Sequence, residues 1–143
     1  MIRVRPAQWC LNRPIAAVPV QTYTTFMPNN EPIKIAQRAV EIASDMQATN
    51  IMLLDIRELA SFADYFVVLS ADSIRLIDAL VNDITLQLKK EDIHIGHKEG
   101  TSGSGWVLLD YGNVLIHVFS LVEREYYRLE ELWNEAIPLL QVQ

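Results

Sequence analysis

Apolar residues recur along this chain with two different periods, and the places where the period changes outline the fold. Residues 106–111 and 114–121 are apolar runs separated by Gly112-Asn113, a pair that tolerates the positive φ of a tight hairpin turn. Side chains alternate across a strand, so a turn of two or four residues gives the same pairing parity. One face then gathers Val107, Leu109, Tyr111, Val114, Ile116 and Val118, and is apolar but for one hydroxyl. The other gathers Trp106, Leu108, Asp110, Leu115, His117 and Phe119. That face mixes a carboxylate and an imidazole with large apolar groups. It is either a second buried layer with satisfied polar groups or a docking surface.

Upstream, Asn30-Glu31-Pro32 reads as a helix start, with a capping side chain, an early acid, and proline where its missing N–H costs nothing. The helix should run to about Ala48, burying Ile35, Ala36, Ala39, Val40 and Ala43 at helical spacing. Residues 51–56 and 64–70 read as strands joined by a short link, hence antiparallel. Ser73 suits the N-cap of a second helix through Glu91, with Ile74, Ile77, Leu80, Val81, Ile84 and Leu88 in register. A short edge strand is expected over 93–97, and a last helix over 122–136. There Tyr126, Leu129 and Trp133 form one stripe, and Pro138 ends the helix. The order helix, strand, strand, helix, strand, strand, strand, helix predicts a single α/β (α+β) domain with a five-stranded mixed sheet flanked by helices. Residues 30–137 form that domain. Residues 1–29 are expected to be a flexible N-terminal extension and 138–143 a C-terminal tail.

Composition narrows the class without changing the outline. The 143 residues are half apolar and about a fifth charged, as in ordinary globular domains. The apolar runs are far shorter than the ~20 residues of a membrane span. The lone Cys10 permits no disulfide framework. Residues 1–30 hold Arg3, Arg5 and Arg13 and no acid, so the remainder of a chain of net charge −6 carries −9. A phosphate-gripping face needs the opposite sign, which argues against nucleic acid as the direct ligand. A basic protein partner fits, since opposite potentials steer encounter. The arginine-bearing, acid-free leader has one feature of an organellar transit peptide, but serine is absent and arginines are few. Its alternatives are a flexible extension or a start assigned too early, with Met27 nearby. The chain is expected in a bacterial-type cytoplasm, or in an organelle if the leader is a transit peptide.

Three constellations resemble chemistry. His94 and His97 have metal-like spacing, but strand positions three apart face opposite ways, so exposed histidines are the simpler reading. Residues 100–105, Gly-Thr-Ser-Gly-Ser-Gly, lack the Lys-Ser/Thr and following helix of a phosphate cradle, and read as a mobile loop. His117 has Asp110 on its face but no nucleophile in register, which leaves a structural or a contact histidine. Arg124, Glu125 and Arg128 read as a solvated helix face, and Tyr127 as that helix's surface-facing aromatic. Trp106 suits a core, yet tryptophan is also enriched at interface hot spots.

The run G-W-V-L-L-D-Y-G-N-V-L-I-H-V-F, followed by R-E-Y-Y-R-L-E-E-L-W, resembles the Iojap family of ribosomal silencing factors. The likeness extends through Lys98-Glu99-Gly100, Ala63-Asp64-Tyr65-Phe66-Val67 and the strand at 51–56, covering roughly residues 33 to 134. It implies a nucleotidyltransferase-like αββαβββα topology. It also implies binding to the large ribosomal subunit through its universal protein number fourteen, a basic protein on the intersubunit face. Such docking sterically blocks joining of the small subunit and represses translation under nutrient limitation. The implied docking residues are Trp106, Asp110 and His117, with Glu99 and Gly100 at the rim and Tyr127 as an extension. A homodimer is compatible with the resemblance, whereas an enzyme, a cofactor, DNA and a membrane are not implied. The alternatives are a large-subunit assembly factor using the same face, and a divergent nucleotidyltransferase. The latter would need an Asp-x-Asp pair where only Asp110 stands, and a lone carboxylate cannot support two-metal chemistry. The family carries a Gly before the capping Ser where this chain has Ser70-Ala71-Asp72-Ser73, so the turn there is expected to be shaped differently.

Overall fold

A computed structural model describes residues 2–3 and 31–142. Asn30, the expected helix cap, and the whole leader except Ile2 and Arg3 lie outside the described residues. The first helix, α1 (Pro32–Asp45), opens with Pro32 and buries Ile35, Ala36, Ala39, Val40, Ile42 and Ala43, the stripe its spacing predicts. It ends before Ala48 because Gln47 turns the chain with φ of 64°. Strands β2 (Thr49–Asp55) and β3 (Tyr65–Ala71) pair antiparallel as expected. Helix α2 (Ile74–Lys90) starts where Ser73 Oγ accepts a hydrogen bond from the Leu76 N–H at 3.1 Å. Ala71, in extended β3, has no positive φ, so alanine stands there in place of glycine without strain.

The fold is the mixed α/β sheet that the pattern predicts, with more strands than expected. Numbering Ile2–Arg3 as β1, His97–Thr101 as β4, Trp106–Asp110 as β5, Val114–Ser120 as β6 and Ile137–Val142 as β7, the seven strands among the described residues run in the order β1-β7-β2-β3-β6-β5-β4. Only β3 and β6 run parallel among the described pairs. Strand β3 is buried at every position, as a central strand covered on both faces should be. The β5–β6 hairpin has the expected parity: Trp106 lies opposite Phe119, Val107 opposite Val118, and Leu108 opposite His117. Helices α1 and α2 cover the Val107/Leu109/Ile116/Val118 face and build the larger core. On the other face a smaller core joins Leu54, Ile56, Phe66, Val68 and Phe119 to Leu129 and Ala136. No helix among the described residues is long and apolar enough to cross a membrane.

Three boundaries depart from the sequence reading, each for a physical reason. The edge strand β4 occupies His97–Thr101 rather than 93–97. Ile93 instead folds back on α2, its N–H bonded to the Leu88 carbonyl, and the ladder is built from five exposed residues. The last helix is broken: α3 (Leu121–Tyr127) and α4 (Leu129–Leu132) are separated by Arg128, which adopts left-handed φ of 47°. The break turns Tyr126 out of the expected stripe to 74% exposure, while Leu129 stays buried. Finally, 137–142 is a strand and not a tail. Pro138 lies opposite Leu54, beside a register shift in the pairing with β2 between Leu53 and Leu54, the kind of irregularity at which a sheet tolerates proline. Leu139, in the shifted segment, is 5% exposed and part of the main core.

Leu139→Ala is therefore expected to cost about 2–4 kcal/mol, as buried leucine truncations do. Urea denaturation measures this; a change below about 0.5 kcal/mol would be the behaviour of an unstructured tail.

Candidate functional site

Sequence places Trp106 at the start of β5, and the turn before it fixes how the ring is presented. The Gly-Ser segment is not a loose loop. Ser102–Ser104 forms a 3₁₀ turn in which Thr101 Oγ1 accepts the Ser104 N–H at 3.2 Å and Ser104 Oγ donates to the Thr101 carbonyl at 2.7 Å. Gly105 closes the turn in left-handed φ, and its carbonyl accepts the Ser120 N–H at 2.8 Å. Gly100 has a stricter role. It sits at φ +86°, and a Cβ there would lie 2.1 Å from the Trp106 carbonyl oxygen, so glycine permits the close approach of β4 to β5.

The Trp106 ring is half-buried and tightly partnered. It stacks on Phe119 with centroids 5.0 Å apart at 27°, and meets Tyr127 of α3 at 4.7 Å. Its Nε1–H donates to His117 Nδ1 at 3.3 Å. This bond leaves the neutral imidazole proton on Nε2, which is buried without a hydrogen-bond partner. The edge of His117 meets the face of Phe66, or the reverse, at 4.9 Å and 73°. Burial pushes the His117 pKa down to about 4. The imidazole is therefore a neutral support beneath the indole, 5% exposed, rather than a surface contact.

Glu99 stands opposite Leu108 across the β4–β5 ladder, exposed, with His97 Nε2 at 3.7 Å. An open groove of about 340 Å³ runs between these elements, lined by Glu99, Gly100, Ser104, Trp106, Leu108 and Tyr127. Of the six residues singled out from the sequence, Trp106, Tyr127, Glu99 and Gly100 meet at this groove and His117 underlies it. Asp110 does not join them. It lies four residues along β5, about 13 Å from Trp106 at the usual rise per strand residue, and its Oδ1 accepts the Gly112 N–H at 2.7 Å in the hairpin turn. Leu108, absent from the sequence selection, was recoverable from the same alternation that placed Trp106. His94 and His97 are exposed, and no group of metal-binding character forms among the described residues.

Arg124 is the residue that the sequence most misrepresents. It is 7% exposed rather than solvated, with Nε donating to Glu130 Oε2 and Nη1 to Ser70 Oγ, each at 2.8 Å. Arg128, by contrast, is on the surface between Glu125 and Glu131, as a helix-face residue should be.

The buried imidazole gives a signed pH dependence. Its folded pKa lies below the ordinary 6.5, so the unfolded chain takes up a proton first. The stability it contributes is complete above pH ~6.5 and is lost as pH falls toward 4, up to about 3 kcal/mol. His117→Leu is expected to flatten that part of the profile, read as urea midpoints between pH 7 and 4.5. Parallel profiles for the two proteins would show that His117 titrates normally.

Comparison with known proteins places this geometry in a family. The family model described as "Ribosomal silencing factor during starvation" matches residues 29–143. The ribosomal silencing factor RsfS of Bacillus subtilis is 36% identical over 104 residues, spanning 73% of this chain and 86% of its own. The crystal structure of a protein from Chromobacterium violaceum superposes with a TM-score of 0.70 at 35% identity, covering 73% of this chain and 87% of that one. A mouse relative, mitochondrial assembly of ribosomal large subunit protein 1, is 29% identical over 99 residues, spanning 66% of this chain and 43% of its own. With its fold and most of its length matched, the chain belongs to the ribosomal silencing factor family.

Proposed function

We propose that this protein docks on the large ribosomal subunit through the Trp106 groove and represses translation by occupying the surface that the small subunit needs. The carrying observation is the groove itself: a half-buried indole, backed by Phe119 and flanked by Tyr127, open to one side beside an exposed carboxylate. An aromatic anchor at the centre with a polar rim is how hot-spot energy is distributed in interfaces. The proposed contact is the subunit's universal protein number fourteen. A basic surface there complements a chain that carries −9 outside its first thirty residues. About 800 Å² on each partner suffices for a specific interface. The mechanism is steric, without catalysis or cofactor. In this reading Trp106, Tyr127 and Leu108 make contact, Glu99 supplies charge, and Gly100 and His117 hold the geometry. Asp110 holds the hairpin turn and reaches the partner only at its rim.

A second reading, a factor that accompanies the large subunit during assembly, is favoured by the name of the mouse relative. It uses the same face. Fractionation of growing cells separates the two, since an assembly factor accumulates on immature large subunits and a silencer on mature ones.

The direct test is binding of purified large subunits by the wild type and Trp106→Ala at two salt concentrations. Binding is expected to weaken with salt in the wild type and to fall more than tenfold in the variant, a loss above about 1.4 kcal/mol. Wild-type affinity in Trp106→Ala would remove the groove from the interface. No binding by either protein would contradict the docking reading.

A further inference from the structure

Helix α3 is attached to the body of the protein in an unusual way. Its single buried residue is Arg124, while Leu121, Val122 and Tyr126 are all exposed. Tyr127 alone gives it aromatic packing, against Trp106 at 4.7 Å and Phe119 at 6.2 Å, so no apolar stripe along the helix sets its orientation. What reaches inward is a guanidinium, and its two directions are both used. Nη1 donates to Ser70 Oγ on β3, and Nε donates to Glu130 Oε2 on α4. Ser70 is itself fixed: its Oγ donates to the Thr49 carbonyl, and Thr49 Oγ1 donates to the Ser70 carbonyl. The backbone closes the same corner, since the Arg128 N–H bonds to the Arg124 carbonyl as the chain turns through left-handed φ. Tyr127 is the last residue of α3, between Arg124 and that turn, and its ring forms the far wall of the groove against Trp106.

We infer that Arg124 is a positioning residue for the docking groove: its fork to Ser70 and Glu130 sets the angle of α3, and so holds Tyr127 against Trp106. This rests on the docking reading for its functional consequence, but not for its structural one. Lysine keeps the charge yet presents it as a point rather than a planar fork, so it cannot reproduce both bonds in the same geometry. The charge alone is then insufficient.

The test combines a local and a functional readout on the full chain. In free Arg124→Lys, the ring-to-ring nuclear Overhauser effect between Trp106 and Tyr127 is expected to weaken or vanish while the remaining amide spectrum stays folded. Large-subunit binding is expected to drop five- to tenfold, as in Tyr127→Ala. The double variant should lose little more than either single one, because both remove the same wall. Ser70→Ala, which deletes one acceptor at nearly constant volume, repeats the test if Arg124→Lys does not fold. A wild-type ring contact in both variants would overturn the inference, as would losses that multiply in the double variant. A lost contact with undiminished binding would leave Arg124 in its positioning role and would instead reject the groove as the docking site.

Discussion

Residues 106–120 must satisfy two environments at once, because the hairpin they form lies within a sheet that has something to bury on both sides. Val107, Leu109, Ile116 and Val118 are at or near zero exposure beneath α1 and α2. Every neighbour in sequence is thereby committed to the opposite face. Trp106, Leu108, His117 and Phe119 have no choice of side, since a one-residue slip would exchange the two sets and bury a carboxylate in the main core. The groove is thus a by-product of the register that the core demands. β6 locks that register twice, antiparallel to β5 and parallel to the fully buried β3.

The same constraint explains how polar groups come to lie under the groove. His117 is carried to its place by strand parity and is accommodated as a neutral ring, with one nitrogen accepting from Trp106. Its depressed pKa follows from burial and is a cost of that position. Arg124 reaches the same layer from α3 and is offset by Glu130 and Ser70. A buried imidazole and a buried guanidinium thus lie behind the aromatic surface, and neither is presented to solvent.

What was legible in the sequence was whatever depends on alternation or helical period. The hairpin faces, the buried stripe of α1, the Ser73 cap and the β2–β3 pair all follow from positions of apolar residues. The departures occur where those signals are silent. β4 is exposed along its whole length, so no apolar pattern marks it, and the nearby Ile93 and Ile95 drew the strand too early. β7 contains a proline, tolerated through a register shift that only the partner strand reveals. Arg128 breaks the last helix in a conformation that sequence associates with glycine or asparagine. Arg124 looks like any charged helix residue until its partners, six and 54 positions away, are in place. Asp110 shares a face with Trp106 and the family resemblance joins them, but the length of the strand separates them.

In the proposed docking, one edge of one face meets the ribosome. Hydrogen–deuterium exchange of the full chain, with and without purified large subunits, tests it without altering any residue. Protection is predicted for the amides of 97–108 and of α3, with α1 and α2 exchanging as in the free protein. Protection centred on α1 and α2, with β4, β5 and α3 unchanged, would contradict the account.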